Sequence, residues 1–175
     1  MRVNISSFPK DLGDGLFYQR WGPSLRGDLQ SDIIRKNKND KELYVEGEDL
    51  ERFVVLNLGS WRDKVIIDCK CQGIVIGGHA VLNDLEITLS HPESMEIAFV
   101  NCSTDKLKLH LNSPSILIRT TNFDVSSEID IKFDHYENIS FRDEALKALK
   151  LNEPINLAKC LFTEEELKRI NDYKP

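Results

Sequence analysis

The residues best suited to chemistry in this sequence are Cys71 and His91, which the repeat described below would place at one corner. A cysteine beside a histidine can act as a thiolate with its general base, or the pair can bind a soft metal. Ser113 and His135 follow at similar intervals. A catalytic site also needs a pocket and an orienting third group, so exposed polar corners are the simpler interpretation, and we predict no metal or cofactor.

Carboxylates are the second candidate, because paired acids hydrolyse polysaccharides on many β-helices. Asp68, Glu86, Glu96 and Asp130 occupy outward positions of predicted strands. Such enzymes are usually longer, so a solvated acidic face is preferred. The sequence has no phosphate loop, dinucleotide fingerprint or nucleophile elbow, and Gly73–Gly78 is interpreted as a strand ending in a bend. We therefore expect a non-catalytic protein and leave enzyme activity open.

The strands that would position these residues repeat five times between residues 43 and 141. Each copy has two stretches of alternating apolar residues about ten residues apart, and the copies follow every 20 to 22 residues. Alternation predicts strands with one buried face, and a fixed period predicts that each copy stacks on the next. The first stretches begin at Leu43, Val65, Leu85, Leu107 and Ile129.

Two features favour a mainly β fold, a short right-handed parallel β-solenoid of about five coils, over an antiparallel meander closing into a sandwich or barrel. Aligned copies place Glu86, Lys108 and Asp130 in one outward file of alternating charge, and in-register stacking would favour such a file. The connections between copies also carry apolar residues, which predict a third buried wall. These residues are Trp61, Val81, Leu82, Val100, Cys102, Phe123 and Val125.

Caps are predicted at both ends of the repeat domain 43–141. Residues 1–42 are interpreted as a loop followed by a helix from Ser24 to about Lys36, and Trp21 would seal the stack or anchor a partner. Residues 142–175 are predicted to form a helical cap, divided at Pro154. Its second helix starts at Thr163 with a capping box.

Charge restricts the class of partner. The formal net charge is -6, and the repeat region alone carries -8. An acidic stack repels phosphate backbones and attracts basic partners, so nucleic-acid binding is disfavoured. No apolar stretch approaches the roughly 20 residues of a membrane span. Four cysteines without paired extracellular spacing favour free thiols and a cytoplasmic location.

A flat, partly apolar strip is predicted on the outward side of the second stretches. Val55, Val75, Glu96 and Leu117 would form it beside Arg119. Solenoids use such strips to bind partners, although a cap could equally cover this one.

We expect a non-catalytic interaction module, an inhibitor, immunity or antitoxin-type protein that binds a basic partner protein. The residues predicted to bind it are Glu86, Glu96, Asp130, Val55, Val75, Leu117, Arg119 and Trp21. The alternative is an enzyme or carbohydrate-binding protein with its site on a solenoid face or at the corner of Cys71 and His91. A third possibility is a subunit that stacks end to end, against which the predicted caps argue. The oligomeric state stays open.

Overall fold

The computed structural model describes residues 1–7, 40–59 and 61–172 of the chain. The strands are β1 Arg2–Asn4, β2 Glu42–Asn57, β3 Lys64–Gly77, β4 Val81–Ser90, β5 Ser94–Asn112, β6 Ser115–Asp134 and β7 Asn138–Asp143. A 3₁₀ turn, Ile5–Ser7, follows β1. The helices are α1 Ala145–Ala148, α2 Pro154–Leu161 and α3 Glu164–Asp172.

All pairings between these strands are parallel, and each strand pairs with the next along the chain. The result is a β-solenoid of about five turns, as predicted. A meander needs antiparallel neighbours and is therefore excluded. The long strands β5 and β6 bend around corners and remain paired from Ser94 opposite Ser115 to Asn112 opposite Asp134.

Each coil has three walls, which we number in chain order. The first wall contains residues 42–49, 64–70, 84–90, 106–112 and 128–134. The second contains residues 53–57, 73–77, 94–100, 115–121 and 138–143. The third is short, with residues 81–82, 102–104 and 123–125 in register.

The core lies inside the three walls because alternation points the apolar side chains inward. The apolar side chains that point inward from the first wall are at most 2% exposed from Leu43 to Leu111. Trp61 is fully buried, and the rings of Phe99 and Phe123 stack with their centroids 4.3 Å apart. The predicted third wall is therefore confirmed for most of its residues.

The prediction of a buried third wall is wrong for two of these residues. Val81 is 56% exposed because it pairs with Ser103 on the outward side of the third wall, while its neighbour Leu82 points inward. Val100 is buried, but it belongs to a separate apolar cluster with Val75 on the outer side of the second wall.

The start of the chain also differs from the prediction. Arg2–Asn4 forms a strand that pairs with Tyr44–Glu46 of β2, whereas the sequence predicted a loop here. Val3 and Ile5 are buried on the core. The predicted helix at 24–36 and Trp21 lie outside the described residues.

The C-terminal helices close the other end of the stack. The capping box is confirmed, since the Thr163 backbone N–H donates to Glu166 Oε2 at 2.8 Å and the Glu166 N–H donates to Thr163 Oγ1 at 3.2 Å. Pro154 does not simply divide two helices, because it occupies the first turn of α2, where a proline costs no hydrogen bond.

Two hydrogen bonds join this cap to the last coil. Lys132 Nζ donates to the Phe162 carbonyl oxygen at 3.0 Å, and the Tyr136 hydroxyl donates to the Leu161 carbonyl oxygen at 3.0 Å. Both acceptors lie at the C-terminal end of α2, where free carbonyl groups favour donors and positive charge. The end of α2 is therefore fixed against β6.

The second wall allows no side chain at Gly73. A Cβ there would lie within 3 Å of the Phe53 ring and 2.8 Å from the Glu96 carbonyl oxygen. We predict that Gly73→Ala lowers the free energy of unfolding by about 1–3 kcal/mol, because the ladder cannot move away. Urea denaturation measures this. The control Val81→Ala, on an exposed side chain, should change it by less than about 0.5 kcal/mol, and an equally small effect of Gly73→Ala would contradict the prediction.

Candidate functional site

The outward side of the first wall is a regular surface formed by strands of successive coils, and we call it the first-wall face. The structure confirms the predicted file of Glu86, Lys108 and Asp130, and a second file runs beside it. One file contains Arg2, Tyr44, Ile66, Glu86, Lys108 and Asp130. The other contains Asn4, Glu46, Asp68, Thr88, His110 and Lys132. Neighbouring side chains in a file stand on strands about 4.8 Å apart.

The charges on this face pair diagonally as well as along files. Lys64 Nζ lies 3.2 Å from Glu86 Oε1 and 3.9 Å from Asp84 Oδ2. The hydrogen bond and negative charge of Glu86 raise the pKa of Lys64 above its ordinary value. Glu86 thus pairs with Lys64 of the adjacent file. The alternating charges in its own file had indicated Lys108 as the neighbouring cation.

Most other cations of the face are also engaged. Arg2 Nη1 lies 2.9 Å from Glu46 Oε2. Lys70 and Lys106 each lie 3.9 Å from a glutamate oxygen, and Lys132 donates to the cap. Asp68 and Asp130 are exposed carboxylates without an ion pair among the described residues. Lys108 is likewise exposed without an ion pair among the described residues, so the uncompensated charge on the face is negative on balance.

Polar contacts also mark the end of this face near the last coil. His110 Nε2 makes a short contact with Asp134 Oδ2, and both side chains are about two-fifths exposed. His135 Nδ1 lies 2.9 Å from Asn112 Oδ1 on the adjacent strand. These pairs connect the last two coils.

The structure contradicts a thiolate at Cys71. The side chain is fully buried, and its thiol donates to the Gly73 carbonyl oxygen at 3.6 Å. Burial raises the pKa of Cys71 to about 12, so the thiol stays protonated at neutral pH. The corner was predicted to expose Cys71, but β3 continues through this position and turns the side chain inward.

His91 has a structural role at the same corner. Its Nδ1 accepts hydrogen bonds from the backbone N–H groups of Glu93 and Ser94, both at 3.1 Å. Nε2 lies 2.9 Å from the Leu50 carbonyl oxygen and must carry the proton, because a carbonyl only accepts. Both ring nitrogens are therefore occupied by backbone groups. In residues 1–7, 40–59 and 61–172, His, Cys, Asp and Glu form no group of three that could hold a metal.

The predicted strip on the second wall is wrong about which residues are exposed and partly wrong about which residues align. Val55 and Val75 are buried, at 1% and 0% exposed. Glu96 and Leu117 align with Phe53 and Gly73, two residues earlier than predicted. The offset between paired residues changes from 20 in the first wall, where Lys64 pairs with Asp84, to 23 in the second wall, where Gly73 pairs with Glu96. Counting along regular stretches cannot detect such a change.

Glu96 and Arg119 form a half-buried pair on this wall, with Nε 3.3 Å from Oε1 and both side chains 25% exposed. Burial raises the pKa of Glu96, and the charges of Arg119 and Arg142 oppose that shift. Leu117 is half-buried beside them. Glu96 thus lies on a different face from Glu86 and Asp130, so the predicted acids do not form one patch.

Sequence reasoning missed an asparagine pair at the corner between the second and third walls. Asn101 and Asn122 have φ angles of 49° and 50°, and Asn122 Nδ2 donates to Asn101 Oδ1 at 3.1 Å. Asparagine tolerates this left-handed conformation better than most residues. The 21-residue spacing of the two asparagines was the available signal.

Comparisons with models of known protein families, with curated proteins and with solved structures find no match. Among the described residues, no helix has the length and apolar character to cross a membrane.

The contacts of His91 predict unequal effects of two substitutions. His91→Ala removes two hydrogen bonds from backbone N–H groups and one to a carbonyl, all at exposed positions that water can reach. It should therefore lower the free energy of unfolding by about 1 kcal/mol. His91→Asn should cost clearly less, because an asparagine oxygen can accept from the same N–H groups. Urea denaturation of both variants tests this, and equal losses would contradict the assigned role of Nδ1.

The buried thiols predict a pH-dependent stability. Burial raises the pKa of Cys71 and Cys102 to about 12 and of Cys160 to about 11, and it also raises that of Cys69. The unfolded chain ionises first, near pH 8.5, so the folded state should lose stability above that pH.

Urea denaturation at pH 7 and pH 10 measures this loss, and reaction with a thiol reagent at pH 8 tests the burial on which it rests. We expect slow reaction of all four thiols in the folded protein and fast reaction in guanidinium. A thiol that reacts at once in the folded protein would contradict this.

Proposed function

We propose that this chain is a non-catalytic interaction module that binds a basic partner protein through the first-wall face. The observation that carries the proposal is the charge distribution on that face. Its lysines and Arg2 are mostly engaged with its own carboxylates or with the cap, whereas Asp68 and Asp130 are exposed and have no ion pair among the described residues.

The geometry of the face suits this role. Paired parallel strands hold the backbone of the outward residues at fixed spacing, so little backbone conformational freedom is lost when a partner binds. Free carboxylates at such positions increase the association rate with a basic protein and select against acidic partners. The residues proposed to contact the partner are Asp68 at the centre, with Glu46 and Glu86 beside it.

The other predicted contact residues have less support. Val55 and Val75 are buried, and Glu96, Leu117 and Arg119 lie on the second wall. Trp21 lies outside the described residues. We therefore restrict the proposal to the first-wall face.

A cytoplasmic inhibitor, immunity protein or antitoxin is the specific class that we propose. Small size and net acidity support an inhibitor of a basic enzyme such as a nuclease. Four cysteines that form no disulfide support a reducing compartment.

Charge reversal at the centre of the face tests this function. Affinity capture from the native host, followed by mass spectrometry, supplies partners, and calorimetry with the purified partner gives the affinity. Asp68→Lys should weaken binding at least tenfold and reduce the salt dependence, because a repulsive charge replaces an attractive one.

The matched control is Glu165→Lys, which makes the same charge change at an exposed position on α3. It should leave the affinity within about twofold. Equal effects of the two variants, or a captured partner without a basic surface, would overturn the proposal.

A further inference from the structure

The outward side of the second wall carries an apolar cluster that is covered rather than exposed. We call it the outer cluster, and its members are Phe53, Val55, Val75, Ala98 and Val100, all at most 8% exposed. Val81 shows how exposed an uncovered outward valine is on this solenoid, since it is 56% exposed on the third wall. Val75 and Ala98, by contrast, are completely buried. Another part of the chain must therefore lie on the outer cluster.

The described helices do not supply this cover. Helices α1 and α2 pack on β6 and β7, and the 3₁₀ turn packs on β2. Among the described residues, no helix has an extensive contact with β3 or β5, the strands that carry Val75, Ala98 and Val100.

The remaining stretches of the chain are residues 8–39, position 60 and residues 173–175. Residues 173–175 follow α3, which packs on α2 beside the last coil, whereas the outer cluster belongs to the first three coils. Position 60 is a single residue. Only 8–39, with 32 residues, is long enough to cover the outer cluster.

The described residues on either side of 8–39 lie at the first coil. The Ile5 carbonyl oxygen accepts a hydrogen bond from Arg52 Nη1 at 2.7 Å, and Arg52 directly precedes Phe53 of the outer cluster. At the other end of 8–39, Asp40 Oδ1 lies 3.6 Å from the Met1 ammonium nitrogen. The chain therefore leaves the first coil beside the outer cluster and returns to the same coil.

The sequence of 8–39 contains an apolar stripe of suitable length. Leu25, Leu29 and Ile33 recur every four residues in the helix predicted from Ser24 to about Lys36. A helix of that length is about 20 Å long, and the strands of three coils span about 10 Å. A strand face of valine and alanine is a surface on which an amphipathic helix packs in layered folds.

We propose that residues 8–39 dock on the outer cluster through the stripe of Leu25, Leu29 and Ile33. The second wall is then an internal interface of the chain and not a site for a foreign partner. This position differs from the cap that the sequence predicted for 1–42, because the stripe crosses the coils along the side of the stack. The inference is independent of the proposed partner protein, which would bind the first-wall face.

A nitroxide spin label tests the contact in the full chain. The four native thiols are buried, so a cysteine introduced by Ser31→Cys can be labelled selectively. Position 31 lies on the side of the predicted helix opposite the stripe, so the label should not disturb docking. We expect the label to abolish the methyl NMR signals of Val55 and Val75. The signal of Ile155, an exposed residue on α2, should remain.

A charge within the stripe should release the segment. Leu29→Asp places a carboxylate in an apolar contact, and trypsin should then cut after Arg26 and Arg35 at least about tenfold faster, because cleavage follows the population of the open segment. The matched control Ser31→Asp adds the same charge on the opposite side of the predicted helix. Its cleavage rate should stay within about twofold of the wild type.

The wall can be tested in the same way. Val75→Asp should accelerate tryptic cleavage in 8–39 as Leu29→Asp does, whereas Val81→Asp on the exposed third wall should not. Circular dichroism checks that the strands persist in each variant. Leu29→Asp lies outside the described strands, so the proposal stays testable even if Val75→Asp fails to fold.

Three outcomes would overturn the proposal. Loss of the Ile66 signal on the first-wall face, with Val75 unaffected, would show that 8–39 docks elsewhere. Loss of the Val75 signal in isotope-enriched protein that is unlabelled and mixed with spin-labelled protein would show that a second copy covers the wall. Equal cleavage rates of the Leu29→Asp and Ser31→Asp variants would show that the stripe does not make the contact.

Discussion

The structure depends on one constraint, the continuous parallel hydrogen-bond ladder that joins each coil to the next. Between β5 and β6 it runs through all three walls, from Ser94 to Asn112, with one register shift between Thr104 and Lys106. Every side chain must then be compatible with residues about 4.8 Å above and below it. Apolar files fill the interior, and charged residues outside can pair with opposite charges on neighbouring strands. Lys64 between Asp84 and Glu86 shows this on the first wall.

The same constraint explains why small residues occur where they do. Position 73 is occupied by glycine because any side chain there would meet both the Phe53 ring and a backbone oxygen. At the corners the ladder leaves carbonyl groups that small buried donors satisfy. The Cys71 thiol and the Ser113 hydroxyl each donate to the carbonyl two residues later, at 3.6 and 3.3 Å. Cys71, the candidate nucleophile, thus makes the same structural hydrogen bond as Ser113.

A ladder has two open ends, and the chain treats them differently. β1 adds a short strand at the first end, and Val3 and Ile5 extend the core. At the other end helices cover the last coil, and helices cannot continue the ladder. They are held by hydrogen bonds at the end of α2 and leave a cleft beside β6. The cleft is therefore a consequence of ending a parallel stack with helices.

The sequence by itself determined the stack, its period and the alignment of the first wall. Alternation and spacing are local, and the ladder converts equal spacing into contact, so the file of Glu86, Lys108 and Asp130 could be counted directly. The capping box at Thr163 was equally local. β1 escaped prediction because three residues contain too little alternation to identify a strand.

Tertiary structure alone decided how each corner turns and which outward residues are covered. Cys71 and His91 have equivalent positions in the repeat, yet Cys71 points into the core and His91 binds backbone groups at the surface. Val55 and Val75 have the alternation of exposed residues but are buried. Burial and corner geometry depend on contacts between residues that are far apart in the sequence. The repeat period describes only residues that are close together in the sequence.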